Sequence, residues 1–141
     1  MIRPATLQDL PRILEVGKRL AELYPLKADD YKMRQLLTEA ISSRGNFAMV
    51  DEFDGKICAV LIGLVGDNLW AQRRFANIVL WWSNTAGSGA ALLRKFKVWV
   101  VSRRAIKVAG LCPDIDLDDR VHSLLQRVGF KRSGGAYLLI N

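Results

Sequence analysis

The run Phe75 to Trp82 is apolar but for Asn77, and a loop of small residues, Asn84-Thr85-Ala86-Gly87-Ser88-Gly89-Ala90, separates it from an amphipathic helix. An apolar run of that kind suits a strand covered on both faces, so the chain is constrained to build a sheet with helices on either side. Small residues between such a strand and a helix let backbone N–H groups approach an anion with no side chain in the way. The first helical turn adds unpaired donors and a partial positive charge. Gly87 and Gly89 are placed to do this, although glycines at a strand–helix junction also serve plain turns.

The chain has 141 residues, half of them hydrophobic, and is expected to form one domain, residues 1–141, with a substantial core. No apolar run reaches the roughly 18 residues needed to span a membrane. Met1-Ile2-Arg3-Pro4 leads into a polar helix rather than a signal-peptide core, so a cytoplasmic protein without membrane contact is expected. Cys58 and Cys112 do not make a disulfide framework. His122 is the single histidine and no Cys-x-x-Cys spacing occurs, so no metal site is expected. The formal charge of +7 favours a polyanionic partner, whether a phosphorylated cofactor, nucleic acid or an acidic protein surface. The bases concentrate at Arg73-Arg74, Arg94-Lys95-Lys97, Arg103-Arg104-Lys107 and Arg127-Lys131-Arg132.

Periodicity gives the order of elements. Ile2 to Pro4 reads as a short strand. Thr6-x-x-Asp9 then forms a capping box ahead of Leu10, Ile13, Leu14, Gly17, Leu20 and Tyr24 at helical spacing, with Pro11 in the first turns. A second helix runs from near Asp29 to Ser43. Phe47 to Phe53 and Ile57 to Val65 are strands that Asp54-Gly55 joins as an antiparallel hairpin. After the central strand and its loop comes a helix with Leu92, Leu93, Phe96, Trp99 and Val100 inward and Arg94, Lys95 and Lys97 on an exposed basic face. Ile106 to Leu111 is the next strand. A last helix, capped by Asp118 or Asp119, ends at Gly129, and strands at Phe130 to Ser133 and Ala136 to Ile140 close the chain. The order is β-α-α-β-β-β-α-β-α-β-β, an α/β fold with a central mixed sheet and helices on both faces.

In that order the motifs resemble the GCN5-related N-acetyltransferase (GNAT) superfamily, in particular its short single-domain and phage-type members. Ile2-Arg3-Pro4-Ala5-Thr6 with Asp9-Leu10-Pro11 resembles the family's first strand and helix. Leu124-Leu125-Gln126-Arg127-Val128-Gly129-Phe130 resembles its fourth helix and the Gly-Phe entry to the next strand, and Asn84 to Gly89 its acetyl-CoA loop. The resemblance implies a GNAT fold and an acetyl-CoA-dependent N-acyltransferase, moving acetyl directly to a primary amine of a small molecule or protein. It implies that Asn84, Thr85, Ala86, Gly87, Ser88, Gly89 and Ala90 hold the CoA pyrophosphate through backbone donors. Leu80, Trp81 and Trp82 would line the pantetheine arm, and Arg94 would meet the 3′-phosphate. The acceptor side would be built from Tyr24, Trp70 and Arg73.

The chain departs from the family at three positions. Asn77 stands on the central strand where many members carry a Glu or Asp, Leu125 where a tyrosine hydroxyl reaches the CoA sulfur, and Asn84 where Arg or Gln is usual. An amide cannot act as the base that an ammonium acceptor needs. Tyr137 and His122 are the substitute candidates for proton transfer, the latter because an unperturbed imidazole titrates near about 6.5. The departures also fit a second reading, a catalytically degenerate GNAT-fold protein that binds CoA or serves as a structural or interaction module for a polyanionic, nucleic-acid-associated partner. Either reading is compatible with a monomer or a homodimer.

Overall fold

The computed structural model describes residues 1–23, 27–67, 74–111 and 117–132. The elements follow one another as Ile2–Pro4 (β1), Leu10–Ala21 (α1), Asp30–Ser42 (α2), Phe47–Phe53 (β2), Lys56–Asp67 (β3), Arg74–Ser83 (β4), Ser88–Ser102 (α3), Ile106–Gly110 (β5) and Asp119–Val128 (α4). The strands lie in the order β1-β2-β3-β4-β5, antiparallel at every junction except the parallel β4–β5 pair. This is the mixed sheet the sequence predicts.

Local chemistry sets the boundaries. The Thr6 amide donates to Asp9 Oδ2 at 2.8 Å, which opens a short 3-10 turn ahead of α1, and Pro11 sits in the first turn, where a missing N–H costs nothing. Asp29 and Asp118 cap α2 and α4 by accepting from the amides of Lys32 and Val121, and Gly129, at φ 114°, ends α4. In the β2–β3 hairpin both Asp54 and Gly55 have positive φ, 51° and 71°, the conformation whose twist matches the flanking strands.

Two apolar layers cover the sheet. On one face Ile13, Leu14, Val16, Leu37 and Ala40 of α1 and α2 pack on Val50, Val60, Ile62 and Leu80. On the other, Leu92, Leu93, Phe96 and Val128 of α3 and α4 pack on Phe47, Ala59, Leu61, Ala76, Ile78 and Ile106. Phe96 meets Phe47 edge-on at 5.3 Å and stacks on Trp99 at 5.8 Å. Gly63 makes room for that ring, since a Cβ there would lie 2.6 Å from Phe96 Cε2.

Two expectations are corrected. Phe130 to Arg132 form no strand; the residues after α4 lack the period-2 pattern that would pair them. Ser133 and the strand expected over Ala136 to Ile140 lie outside the described residues. β5 ends at Gly110 rather than Leu111. Lys97 lies on the exposed basic face of α3 as expected, and its ammonium also donates to the Val128 carbonyl at 2.6 Å, at the electronegative C-terminal end of α4.

Candidate functional site

The site is built where β4 leaves β5. Among the described residues the two strands pair over Arg74–Ile106, Phe75–Val108, Ala76–Ala109 and Asn77–Gly110, while β4 continues to Ser83. From Ile78 onward, the β4 backbone on that side has no partner among the described residues. On its other side β4 stays paired with β3, with one irregularity: Ile78 faces Gly63 and Leu80 faces Ile62, so Val79 is an extra, unpaired residue. The bulge shifts the alternation. Ala76 and Ile78 belong to the α3–α4 face, whereas Leu80 and Trp82 belong to the α1–α2 face and Trp81 to the α3–α4 face. Asn77 therefore projects toward the α1–α2 face, as does its pairing partner Leu64.

Asn77 Oδ1 is buried and has no hydrogen-bond partner among the described residues. A buried acceptor left unpaired costs about 1–3 kcal/mol. It lies at the last β4–β5 pair among the described residues, Asn77–Gly110.

At the far end of β4 the loop is fixed by its own polar groups. Asn84 N donates to the Cys58 carbonyl at 3.0 Å. Ser83 Oγ donates to the Thr85 carbonyl at 2.8 Å and accepts from the Thr85 amide at 3.2 Å. The Asn84 side chain is turned into the loop, accepting from Thr85 Oγ1 at 3.0 Å. Trp81 Nε1 donates to the Gly89 carbonyl at 3.1 Å. Gly87 caps α3 at φ 85°, and a Cβ on Gly89 would lie 3.2 Å from Ser83 Cβ.

These bonds determine which donors are left. Ser88 N donates to the Thr85 carbonyl, and the buried Ser88 hydroxyl lies 3.7 Å from Cys58 Sγ, so this side chain faces inward. The Asp51 carboxyl is held below its ordinary range chiefly by the Met1 amino group at 2.9 Å, and also by the Ser88 hydroxyl. By contrast, the amides of Ala86, Gly87, Gly89 and Ala90 have no acceptor among the described residues. Four donors without an acceptor among the described residues, at the start of a 15-residue helix with exposed Arg94 and Lys95 further along it, form a cradle suited to an anion.

Of the residues predicted for catalysis, Asn77 lies at the strand split and His122 lies half-buried on α4, with no side-chain hydrogen bond among the described residues. Leu125 packs into the α3–α4 apolar layer. Tyr137, Tyr24, Trp70 and Arg73 lie outside the described residues. Sequence reasoning missed Val79 and Ser83, and also the placement of Arg12, whose guanidinium stands 5.2 Å from the Trp82 ring on the α1–α2 face. Among the described residues no helix is long and apolar enough to cross a membrane.

No family model and no curated protein matches the chain. Solved structures do. A protein of Agrobacterium tumefaciens superposes with a TM-score of 0.74 at 20% identity, covering 100% of this chain and 99% of that one. A Clostridium acetobutylicum protein described as a predicted acetyltransferase, solved with acetyl-CoA, gives 0.75 at 15% identity over 100% and 95% of the two chains. The aminoglycoside 6′-N-acetyltransferase AAC(6′)-Ig of Acinetobacter haemolyticus gives 0.70 at 15% identity over 100% and 97%. The likeness extends over the whole chain, and it is to acetyltransferases of one architecture. The chain has the fold of the GCN5-related N-acetyltransferases.

Proposed function

We propose that the protein is an acetyl-CoA-dependent N-acyltransferase acting on an amine by direct transfer. The observation that carries this reading is the conjunction, on one strand, of a β4 backbone that after Asn77 has no β5 partner among the described residues and a cradle of amides at the start of α3 with no acceptor among them. The amides of Ala86, Gly87, Gly89 and Ala90 suit the pyrophosphate of CoA. The stretch through Leu80, Trp81 and Trp82, paired with β3 on one side, offers the backbone groups of its other side to the amide-bearing pantetheine arm, and Arg94 is within the helix that would meet the 3′-phosphate. Neighbours of the same fold support both halves of the reading, one solved with acetyl-CoA and one named for N-acetylating an aminoglycoside.

Acetyl-CoA supplies an activated thioester. The lone pair of a neutral amine forms the new C–N bond, the C–S bond breaks, and the proton lost by nitrogen ends on the departing thiolate. The chain's own part is to hold the cofactor along β4 and the amine on the α1–α2 face, where Asn77 projects. Tyr137, His122, Tyr24, Trp70 and Arg73 are the further residues assigned to proton transfer and acceptor contact. Calorimetric titration with CoA, paired with thiol release from acetyl-CoA across an amine panel, tests the proposal. Saturable binding with amine-dependent thiol release is the expected result, and absence of both overturns it.

One observation favours a second reading. Asn77 and Leu125 put an amide and an alkyl chain where proton-transferring groups stand in the family. CoA binding without thiol release to any amine would identify a binding or interaction module.

A further inference from the structure

The unpaired Asn77 carbonyl bears on which amine the site takes. Resting on the acyltransferase reading, we propose that Asn77 Oδ1 receives an N–H of the acceptor amine in its neutral form. The site is then specific for weakly basic amines, of the class of peptide or amino-acid α-amines, over alkylamines such as a lysine side chain.

The argument starts from the orphaned atom. Asn77 Oδ1 is a buried side-chain acceptor with no partner among the described residues, and it lies at Asn77–Gly110, the last β4–β5 pair among them. A buried carbonyl of that kind is satisfied by one N–H donor. It compensates a dipole and not a full charge, so an ammonium brought to it would give up hydration that one neutral amide does not replace. A carboxylate at the same place would have compensated that charge. The chain's formal charge of +7 acts in the same direction, lowering the proton affinity of any amine held in its field.

Other charged groups on this face are accounted for by position. Arg12 of α1 lies over Trp82 and pairs with Glu15, which Arg19 also holds. From α2, Lys32 and Glu39 line an open depression of about 330 Å³ with Gln35, Asn46 and Leu64, the last being the residue across the sheet from Asn77. Glu39 is therefore the described carboxylate that could compete for the role of proton acceptor, and the test includes it.

At pH 7 an α-amine with a pKa of about 7.8 is neutral in roughly one molecule in seven, and a lysine ε-amine at about 10.4 in roughly one in 2,500. With acetyl-CoA as donor, glycinamide and Nα-acetyl-lysine amide are compared by thiol release between pH 6 and pH 10. The expected result is a preference for glycinamide on the order of a hundredfold in kcat/KM at pH 7, with each profile rising to the amine's own pKa. Asn77→Asp should move the lysine-amide profile to lower pH, whereas Glu39→Gln should leave both profiles in place. A readout independent of turnover is calorimetry of glycinamide binding to the CoA-loaded protein at pH 6.5 in two buffers, where capture of the neutral form releases about one proton per amine bound. Equal rates for the two amines at pH 7, binding without proton release, an unmoved Asn77→Asp profile, or a Glu39→Gln profile that collapses would each overturn the inference while leaving acyl transfer standing. CoA binding with no thiol released to either amine at any pH would overturn the acyltransferase reading, and this inference with it.

Discussion

Trp81 and Gly89 are joined by a hydrogen bond from the indole Nε1 to the backbone carbonyl, 3.1 Å long, that ties the end of the central strand to the first turn of the following helix. It is one of several contacts that hold the strand–helix junction at a fixed angle while its outward amides stay free. Trp81→Phe keeps the ring's packing in the α3–α4 layer and removes the donor. The expected cost is about 1 kcal/mol in urea unfolding, with a weakened calorimetric CoA signal.

Gly89 itself has little room. A methyl group there would press on Ser83 Cβ at 3.2 Å and on the indole nitrogen at 3.4 Å. Gly89→Val should break the junction and abolish CoA binding while the far-UV spectrum is retained. Gly87 differs, because space around it is open and only its φ of 85° resists a side chain. Gly87→Ala should therefore cost about 1 kcal/mol of backbone strain, and Gly87→Asn less; paired melting curves check the order.

Gly63→Ala should be among the most damaging single-methyl additions. The new Cβ would meet Phe96 Cε2 at 2.6 Å, and that fully buried ring is already engaged by Phe47 and Trp99. A loss of about 1–3 kcal/mol is expected. Equilibrium denaturation measures it, and an unchanged midpoint would contradict the packing described.

Part of the acid sensitivity should trace to Arg3 and the two carboxylates it holds. Arg3 grips Asp9 with both terminal nitrogens, at 2.7 and 2.9 Å, and reaches Glu52 through Nε at 2.9 Å. The Arg3 hydrogen bonds hold the Asp9 carboxyl below its ordinary value, outweighing burial, and the Glu52 carboxyl is lowered by the same guanidinium. A depressed carboxylate adds stability that is present above its unfolded pKa of about 3.9 and is lost as pH falls through the folded value. Arg3→Met should cost about 2 kcal/mol at pH 7. Its melting temperature should then fall less than the wild type's between pH 5 and pH 3, which differential scanning calorimetry at the two pH values measures.

Much of this architecture was legible in the residues. Asp54-Gly55 specified the hairpin, because few residues tolerate two successive positive φ angles, and Asp29, Asp118 and Gly129 marked helix ends through side-chain and backbone chemistry that acts over three or four residues. The bulge at Val79 was not legible. A one-residue slip shows in a sequence only where polar and apolar residues alternate, and Phe75 to Trp82 is apolar on both faces but for Asn77. The Lys97 hydrogen bond was not legible for another reason: its partner carbonyl is on Val128, and a contact over that separation leaves no local pattern. Asn77 was singled out for its residue type; that its carbonyl has no partner among the described residues depends on three-dimensional neighbours the sequence does not display.

The extra residue at Val79 makes β4 a strand with two reading frames. Upstream of it, even-numbered side chains serve the α3–α4 layer; downstream, even-numbered side chains serve the α1–α2 layer. Deleting that single residue would thus close the ladder without moving a side chain between layers: Leu80 would follow Ile78 in plain alternation, and Leu80, Trp81 and Trp82 would keep the faces and the β3 partners they have now.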